Sequence, residues 1–410
     1  MKCSAMRPLL LLAGLAAPAR AQSSAGWFYN PDAGARYHRG DFSATVWGFA
    51  ERHWGPHSPV VAADAWRRVR QGVELALPQF RIRGLAAPLR PVLVYEVDLT
   101  NNNLFRSGRR AQVFENAYVA LQRGDDAARG RVLFGENTHI LSREDNLSSG
   151  NLPTINRSLV LEEHGSVNSF GTQWGIEASH AVSSRVSLAV SAQDNRGSLN
   201  TVNPRYVVGN SVAAKLSAVA LDDTVRGRLT VGAGADYTRN IRDRTFVLAS
   251  AIGAQQMGGA IAEGNKLSFE GDLAYIGRTS FPFANGTHPY SVDAEFLASK
   301  FSTTGTDVGG GYVQLQVSVF DSQERGDLDP FVRYDVVYLD RDRTFGAAVQ
   351  HATRAGLNYN LPGTRKFTSL HVEYALNQIG GPIQYVPEGS RRFGEVRVGL
   401  RVNAARYVRH

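Results

Sequence analysis

Strict alternation of apolar and polar residues is the dominant pattern of this chain. In residues 395–404, EVRVGLRVNA, four apolar side chains share one parity, whereas Arg397 and Arg401 share the other. Successive side chains of a β-strand point to opposite faces, so this segment has one apolar face and one face that carries guanidinium groups. The pattern predicts a strand between an apolar medium and a polar one.

The same alternation recurs in sixteen segments, each near the 9–11 residues that a transmembrane β-strand needs. Clear examples lie near residues 93–99, 186–193, 228–237, 267–275, 290–296, 313–319, 332–339, 370–377 and 396–402, and weaker ones near 42–52, 66–77, 113–122, 130–136, 168–180, 210–221 and 347–360. A further segment, 246–253, is rich in Ala and Gly and is ambiguous. Short turns separate most segments, and longer loops are expected at 137–167 and 276–288.

These features predict an all-β chain that forms a transmembrane antiparallel β-barrel of sixteen strands, with eighteen as the alternative count. Aromatic residues end many of the apolar faces, as in the interfacial girdles of outer-membrane barrels. A β-propeller would show a repeat of about 40–45 residues, which the sequence lacks. Beyond the N-terminal segment there is also no run of 18 apolar residues, which excludes a helical membrane protein.

The N-terminal segment MKCSAMRPLLLLAGLAAPARA has a basic start, a short apolar core and a small-x-small end, as secretory signal peptides do. We therefore divide the chain into a signal peptide at 1–21, a periplasmic lead-in at 22–40, a barrel at 41–404 and a short C-terminal extension at 405–410. The only cysteine, Cys3, would leave with the signal peptide, which excludes a disulfide scaffold.

The modest charge does not require a nucleic-acid partner, and export argues against one. The formal charge of +8 falls to +5 without Lys2, Arg7 and Arg20. A barrel with a signal peptide is expected in the outer membrane of a Gram-negative bacterium, in contact with lipid and lipopolysaccharide. No hydrolase, protease or phosphate-binding motif is present, so neither catalysis nor a cofactor is expected, and His139 and His164 lack metal-ligand spacing.

Four stretches carry a family resemblance: WRRVRQGVELAL from Trp66, RVLFGENTHILSREDNLSSGNLPTINRSLVLEE from Arg131, DPFVRYDVVYLDRD from Asp329 and RAGLNYNLPGTRKFTSLHVEYALNQ from Arg354. In these stretches the chain resembles the phosphate-selective porins, the outer-membrane porins O and P. The resemblance implies a sixteen-stranded barrel, usually a homotrimer, whose third long loop folds into the lumen. It also implies an arginine ladder and a lysine cluster that attract anions such as phosphate.

The resemblance and strand parity together give the candidate site. The constriction loop would contain Arg143 and the Arg157–Ser158 pair. The family's lysine cluster has no counterpart, because the part after the signal peptide has only four scattered lysines. The predicted channel-lining arginines, which we call the arginine track, are Arg68, Arg70, Arg333, Arg354, Arg397 and Arg401. The predicted acidic wall opposite consists of Glu270, Asp272, Asp293 and Glu295.

Parity places eight basic and twelve acidic side chains in the lumen, so only their arrangement could give a preference for anions. Each track arginine could instead pair with a carboxylate on a neighbouring strand, as Arg333 could with Glu373 or Asp335. The loop could likewise be an ordinary extracellular loop. The sequence predicts a porin for passive diffusion with an anion preference. The alternatives are a general or cation-preferring porin and a non-transporting surface barrel.

Overall fold

The computed structural model describes most of the chain after the N-terminal segment. The described residues are 25–30, 34–54, 65–85, 87–99, 114–124, 129–147, 152–155, 157–161, 172–194, 210–250, 253–280, 287–322, 326–340, 347–362, 368–380 and 392–403. The predicted signal peptide and the predicted extension at 405–410 lie outside them. Among these residues, no helix has the length and hydropathy needed to cross a bilayer.

The described residues form strands almost throughout. These are β1 (Ala25–Asn30), β2 (Gly34–Arg39), β3 (Phe42–Trp54), β4 (Ala65–Ala76), β5 (Leu89–Asp98), β6 (Phe114–Arg123), β7 (Gly130–Thr138), β8 (Thr172–Ala181), β9 (Val186–Asp194), β10 (Asn210–Asp223), β11 (Gly227–Ser250), β12 (Gly253–Ser280), β13 (Thr287–Phe301), β14 (Asp307–Val317), β15 (Phe320–Ser322), β16 (Gly326–Asp340), β17 (Ala347–Asn360), β18 (Thr368–Gly380) and β19 (Arg392–Asn403). Between β7 and β8, the described residues include the short helix α1 (Arg143–Asn146) and a further helical stretch at 159–161.

The strands close into a ring. Each strand from β3 to β13 pairs antiparallel with the next; β14 pairs with β16, and β16 to β19 continue the series. The last strand returns to the first, with Val398 opposite Trp54 and Asn403 opposite Phe49. The predicted sixteen-stranded antiparallel barrel is therefore confirmed, since closure pairs the edges that an open sheet would expose.

A β-hairpin precedes the barrel. β1 pairs with β2, and β2 pairs with the beginning of β3, where Ala35 lies opposite Val46 and Arg39 opposite Phe42. β19 uses a later stretch of the same edge of β3, so β2 continues the line of β19. The hairpin falls within the residues assigned to the periplasmic lead-in, and that division of the chain stays a prediction.

The two faces of each strand have opposite environments. In β16, Tyr334 is 43% exposed on the outside of the barrel, whereas its neighbours Arg333 and Asp335 are 2% and 0% exposed on the inside. Val313, Val372 and many other large apolar side chains are likewise exposed on the outer surface. The apolar faces therefore look outward and the polar faces look into the lumen, as bilayer-spanning strands require.

The lengths of the connections between strands test the loops predicted from the sequence. The longest connection with described residues lies between β7 and β8, close to the predicted loop 137–167. The predicted long loop at 276–288 is wrong in extent, because β12 continues to Ser280 and β13 begins at Thr287. In the ambiguous segment, residues 246–250 belong to β11 and Gly253 begins β12, and these two strands are the longest of the described barrel.

Two apolar clusters lie inside the barrel. One, on β3 to β7, contains Trp47, Ala76, Val92, Val94, Tyr118, Ala120 and Leu133. The other joins the β7–β8 connection to β11, β13, β14 and β16 to β18 through Leu141, Leu159, Val160, Leu161, Ile241, Leu297, Phe301, Val308, Val337, Leu339, Ala352 and Ile379. Part of the lumen is thus filled with apolar side chains rather than lined with charges.

Gly72 illustrates how closely the first cluster packs. Trp47 lies directly over it, so that a Cβ at position 72 would overlap the indole ring. We expect Gly72→Ala to lower the free energy of unfolding by about 1–3 kcal/mol, because the ring must leave its place. Urea unfolding of the refolded barrel measures this. Gly271→Ala is the matched control, since its Cβ would meet no atom within 4 Å; equal losses in both variants would contradict the packing argument.

Candidate functional site: the constriction loop

The described residues 139–147, 152–155 and 157–161 between β7 and β8 lie inside the lumen, and we call them the constriction loop. It begins with α1, which is capped by Ser142: the Ser142 Oγ accepts a hydrogen bond from the Asp145 amide at 3.0 Å. The Asn146 side chain donates to the carbonyls of His139 and Ser142 at 2.9 and 2.7 Å. These local bonds satisfy backbone groups that a loop inside a barrel would otherwise leave unpaired.

The base of the loop is fixed to β11 and β12. The His139 Nε2 lies 3.2 Å from Asp236 Oδ1, and the Lys266 Nζ lies 2.8 Å from Asp236 Oδ2. Thr238 donates a further hydrogen bond to Asp236 at 3.0 Å. All four side chains are buried, so this carboxylate is compensated by three partners where the chain leaves the barrel wall.

A brace within the loop holds α1 against the returning chain. The Arg157 guanidinium pairs with Asp145 at 2.8 Å and donates to the Glu144 carbonyl at 2.7 Å. The Ser158 amide donates to the Glu144 carboxylate at 2.8 Å. Arg157 and Ser158, which the resemblance places in the constriction, therefore bind other residues of the loop.

Glu144 joins the loop to the barrel wall. Its carboxylate lies 2.7 Å from Arg333 Nη1, and Arg333 also pairs with Asp335 at 3.0 Å. The Arg354 Nε lies 3.1 Å from the second oxygen of Asp335. The Arg333 guanidinium stacks 3.8 Å above the Tyr312 ring. We call Glu144, Arg333, Asp335 and Arg354 the buried ion network, since all four are at most 2% exposed.

The deepest part of the loop is attached to β17, β18 and β19. The Arg401 guanidinium donates to the Leu152 carbonyl at 3.0 Å, and Asn358 donates to the Pro153 carbonyl at 2.9 Å. The Ile155 amide donates to the Glu373 carboxylate at 3.0 Å. Side chains of the wall thus satisfy the backbone of a segment that has no regular secondary structure.

On the other side of the loop, the predicted acidic residues meet loop groups and a lysine. The Glu144 amide donates to Glu295 at 2.9 Å, and Arg143 lies 3.3 Å from Asp293. The Lys215 Nζ pairs with Glu270 at 2.9 Å and with Asp272 at 2.7 Å, and it donates to the Leu141 carbonyl at 2.7 Å. The loop therefore binds the wall on both sides of α1.

The arginine track does not form a free positive strip in the described residues. Arg333 and Arg354 share Asp335, Arg397 pairs with Glu373 and Glu395, Arg401 pairs with Glu51, and Arg70 pairs with Glu115 at 2.7 Å. The side chain of Arg68 lies outside the described residues. Within β16 to β19 and their partners, four guanidinium groups meet five carboxylates, namely Glu51, Glu144, Asp335, Glu373 and Glu395.

The acidic wall does not lie opposite all the arginines of the track. β13 is separated from β16 by β14 alone, and Glu144 contacts both Glu295 and Arg333. Strand parity predicts that these side chains point inward, but it does not predict how many strands separate the arginine track from the acidic wall. In the structure, arginines of the track and carboxylates of the acidic wall both contact the constriction loop.

The sequence analysis did not identify the role of Glu144 in joining the loop to the barrel wall. It also did not place the side chain of Lys266 in the lumen. Each had a signal. Ser142 followed by Asp145 is the spacing of a helix N-cap, which places a short helix at Glu144. Lys266 has the same parity as Glu270 and Asp272, which had been assigned to the lumen.

The protonation of Glu144 gives a pH prediction for the seat of the loop. Burial alone would raise the pKa of this carboxyl, but the charge of Arg333 and hydrogen bonds from Arg333 and Ser158 bring it below its ordinary value of 4.5. A carboxyl with a lowered pKa in the folded state stabilises that state above the unfolded pKa, and the contribution disappears as the pH falls through the folded pKa.

We therefore expect the contribution of Glu144 to the urea midpoint to stay constant between neutral pH and about pH 5. Below about pH 5 this contribution should decrease, and the midpoint should decrease with it. Comparison with Glu144→Gln isolates the contribution of this carboxyl. A difference between the two titration curves that changes between pH 7 and about pH 5 would contradict the lowered pKa.

Comparison with solved structures shows which known proteins have a similar fold. No protein-family model matches the sequence, and no curated protein matches it. OmpT, an outer-membrane protein of Vibrio cholerae, superposes with a TM-score of 0.55 at 12% identity over 89% of this chain and 98% of its own. Its trimer form gives 0.52 at 11% identity, covering 88% and 99% of the two chains.

Salmonella typhi OmpF, in a complex with daunomycin, gives a TM-score of 0.54 at 12% identity over 92% of this chain and 100% of its own. At such low identity these similarities concern the path of the backbone. They agree with the ring of strands described above, and the chain therefore has the fold of the outer-membrane β-barrel proteins.

Proposed function

We propose that this protein is an outer-membrane porin through which small solutes diffuse passively. The observation that carries the proposal is the closed ring whose apolar face looks outward and whose lumen holds charged side chains within reach of water, such as Arg143 and Asp293. The constriction loop occupies one side of that lumen and limits the solutes by size. Passive diffusion needs neither a cofactor nor a catalytic step.

The setting follows from the same proposal. The outer membrane of a Gram-negative bacterium, with its lipid and lipopolysaccharide, is the medium that suits an apolar outer face of this kind. A homotrimer is the proposed assembly, supported by the family resemblance and by the trimer form of the similar Vibrio cholerae OmpT.

Two ion preferences are open to such a channel. A preference for anions such as phosphate rests on the resemblance to the phosphate-selective porins and on the arginine track. A weak or cation preference is favoured by the ion pairs, because the four arginines of β16 to β19 meet five carboxylates. We therefore propose a weakly selective channel. The sign of the reversal potential in a KCl gradient distinguishes the two preferences.

Liposome swelling tests the proposed function. Proteoliposomes that contain the refolded protein are diluted into iso-osmotic solutions of neutral sugars of increasing size. We expect swelling rates that decrease steeply with sugar size, because the loop narrows the passage. Liposomes with heat-denatured protein are the control. A folded, inserted protein that admits none of the sugars would contradict the proposal and favour a non-transporting surface barrel.

A further inference from the structure

The ion pairs of the constriction loop form two layers that differ in their access to water. In the buried layer, the side chains of Arg333 and Glu144 are each 1% exposed. In the accessible layer, Arg143 is 28% and Asp293 21% exposed, more than any other ion pair of the constriction loop described above. Among the ion pairs of the constriction loop, the accessible layer is the one best placed to act directly on an ion in the passage.

Arg143 owes its position to α1. It is the first residue of the helix, so its side chain leaves the loop beside the Ser142 cap, and Arg157 and Glu144 hold the helix in place. The guanidinium reaches toward β13, where Asp293 Oδ1 lies at 3.3 Å. A mobile loop is thus not needed to bring this positive charge to the wall.

The two layers differ in their effect on permeating ions. The buried arginines are compensated at contact distance and separated from water, so their field in the passage is largely cancelled by Asp335, Glu144 and Glu51. Charges that line a narrow passage act on ions directly. A partly exposed pair at 3.3 Å is loosely held, because water competes with each partner.

We propose that Arg143 and Asp293 set the ion selectivity of the channel, whereas the buried arginines of the predicted track hold the constriction loop in its seat. The inference rests on the proposed diffusion function. Balance between one cation of the loop and one anion of the wall keeps the wild-type passage weakly selective. Removing either partner leaves the charge of the other in the passage.

Reversal potentials of single-charge variants test the assignment. We expect Arg143→Gln to shift the cation-to-anion permeability ratio about fivefold toward cations, because a unit charge about 8 Å from the ions acts in water with opposite sign on cations and anions. Asp293→Asn should shift it about as far toward anions. The double variant should return close to the wild-type ratio.

The matched control is Lys300→Gln. Lys300 carries a charge near the end of β13, but it is largely exposed on the outer side and pairs there with Asp307 at 3.5 Å. It should leave the ratio unchanged. Conducting Arg143→Gln and Asp293→Asn channels with the wild-type ratio would overturn the inference alone, whereas a wild-type protein without conductance would overturn the proposed function.

Cysteine modification gives a second measurement, since the only cysteine of the sequence is Cys3. Arg143→Cys should react with a thiol-reactive methanethiosulfonate that carries a trimethylammonium group. The attached group restores a positive charge at position 143 and should bring the permeability ratio back toward that of the wild type. Ser158→Cys, buried in the same loop, should react far more slowly. An unreactive Arg143→Cys, or one that reacts without a change in the ratio, would overturn the assignment.

Discussion

Replacing Arg333 by methionine is expected to lower the free energy of unfolding by about 3–5 kcal/mol. The substitution preserves much of the packing on Tyr312 but leaves the buried Glu144 without its guanidinium partner and deprives Asp335 of one of its two arginines. A buried carboxylate without a partner is far more costly than a lost surface contact. Urea unfolding of the refolded barrel in lipid vesicles measures the effect.

Two further variants make this result specific. Glu144→Gln combined with Arg333→Met should recover part of the loss, because it removes the stranded charge. Arg70→Met is the matched control: its pair with Glu115 is partly exposed, so a loss of about 1 kcal/mol or less is expected. Similar losses for Arg333→Met and Arg70→Met would contradict the structural part assigned to the buried ion network.

Replacing Val313 by arginine is expected to cost about 2–4 kcal/mol, because position 313 lies near the middle of the membrane-spanning strand β14. Val313 is half exposed on the outer face of β14, and its neighbours Tyr312 and Gln314 are buried on the lumen side. The new guanidinium would have to enter hydrocarbon or bend toward the interface. Folding efficiency and urea unfolding in vesicles both report this cost.

Gln316→Arg is the matched control, since position 316 is on the same strand with lumen parity and is not fully buried. We expect it to fold with a loss below about 1 kcal/mol, because water reaches the lumen. An arginine tolerated at 313 and rejected at 316 would mean that the faces of the strand are reversed.

The barrel could be predicted because each strand contains its own signal. The alternation in residues such as 332–339 depends only on which side chains meet hydrocarbon and which meet the lumen, and it needs no information from distant residues. The prediction was weaker where this contrast fades. Segment 246–253 is rich in Ala and Gly, and the extent of β12 toward Ser280 could not be separated from a loop.

The candidate site was less predictable because its contacts join residues far apart in the chain. Arg333 and Glu144 are 189 positions apart, and Arg401 and Leu152 are 249 apart. Parity places Arg333 in the lumen, but it cannot say whether a loop covers it. Many such hydrogen bonds and ion pairs between residues distant in sequence together fix the position of the loop. The packing of Leu159, Val160 and Leu161 in the second apolar cluster also contributes.

This arrangement also explains why inward arginines are a poor guide to ion preference here. A side chain that faces the lumen can be compensated by a neighbouring strand, as Arg397 is by Glu373, or it can bind the backbone of the loop, as Arg401 does. Access to water separates these structural cations from Arg143, and access depends on the path of the loop.

We propose that the constriction loop, held on one side of the lumen, leaves a water-filled passage through the barrel. Single-channel recording of the purified protein in a planar bilayer in KCl tests it most directly. We expect discrete conductance steps with a linear current–voltage relation and a small reversal potential in a KCl gradient. Repeated insertions of correctly folded barrel without any conductance step would contradict it.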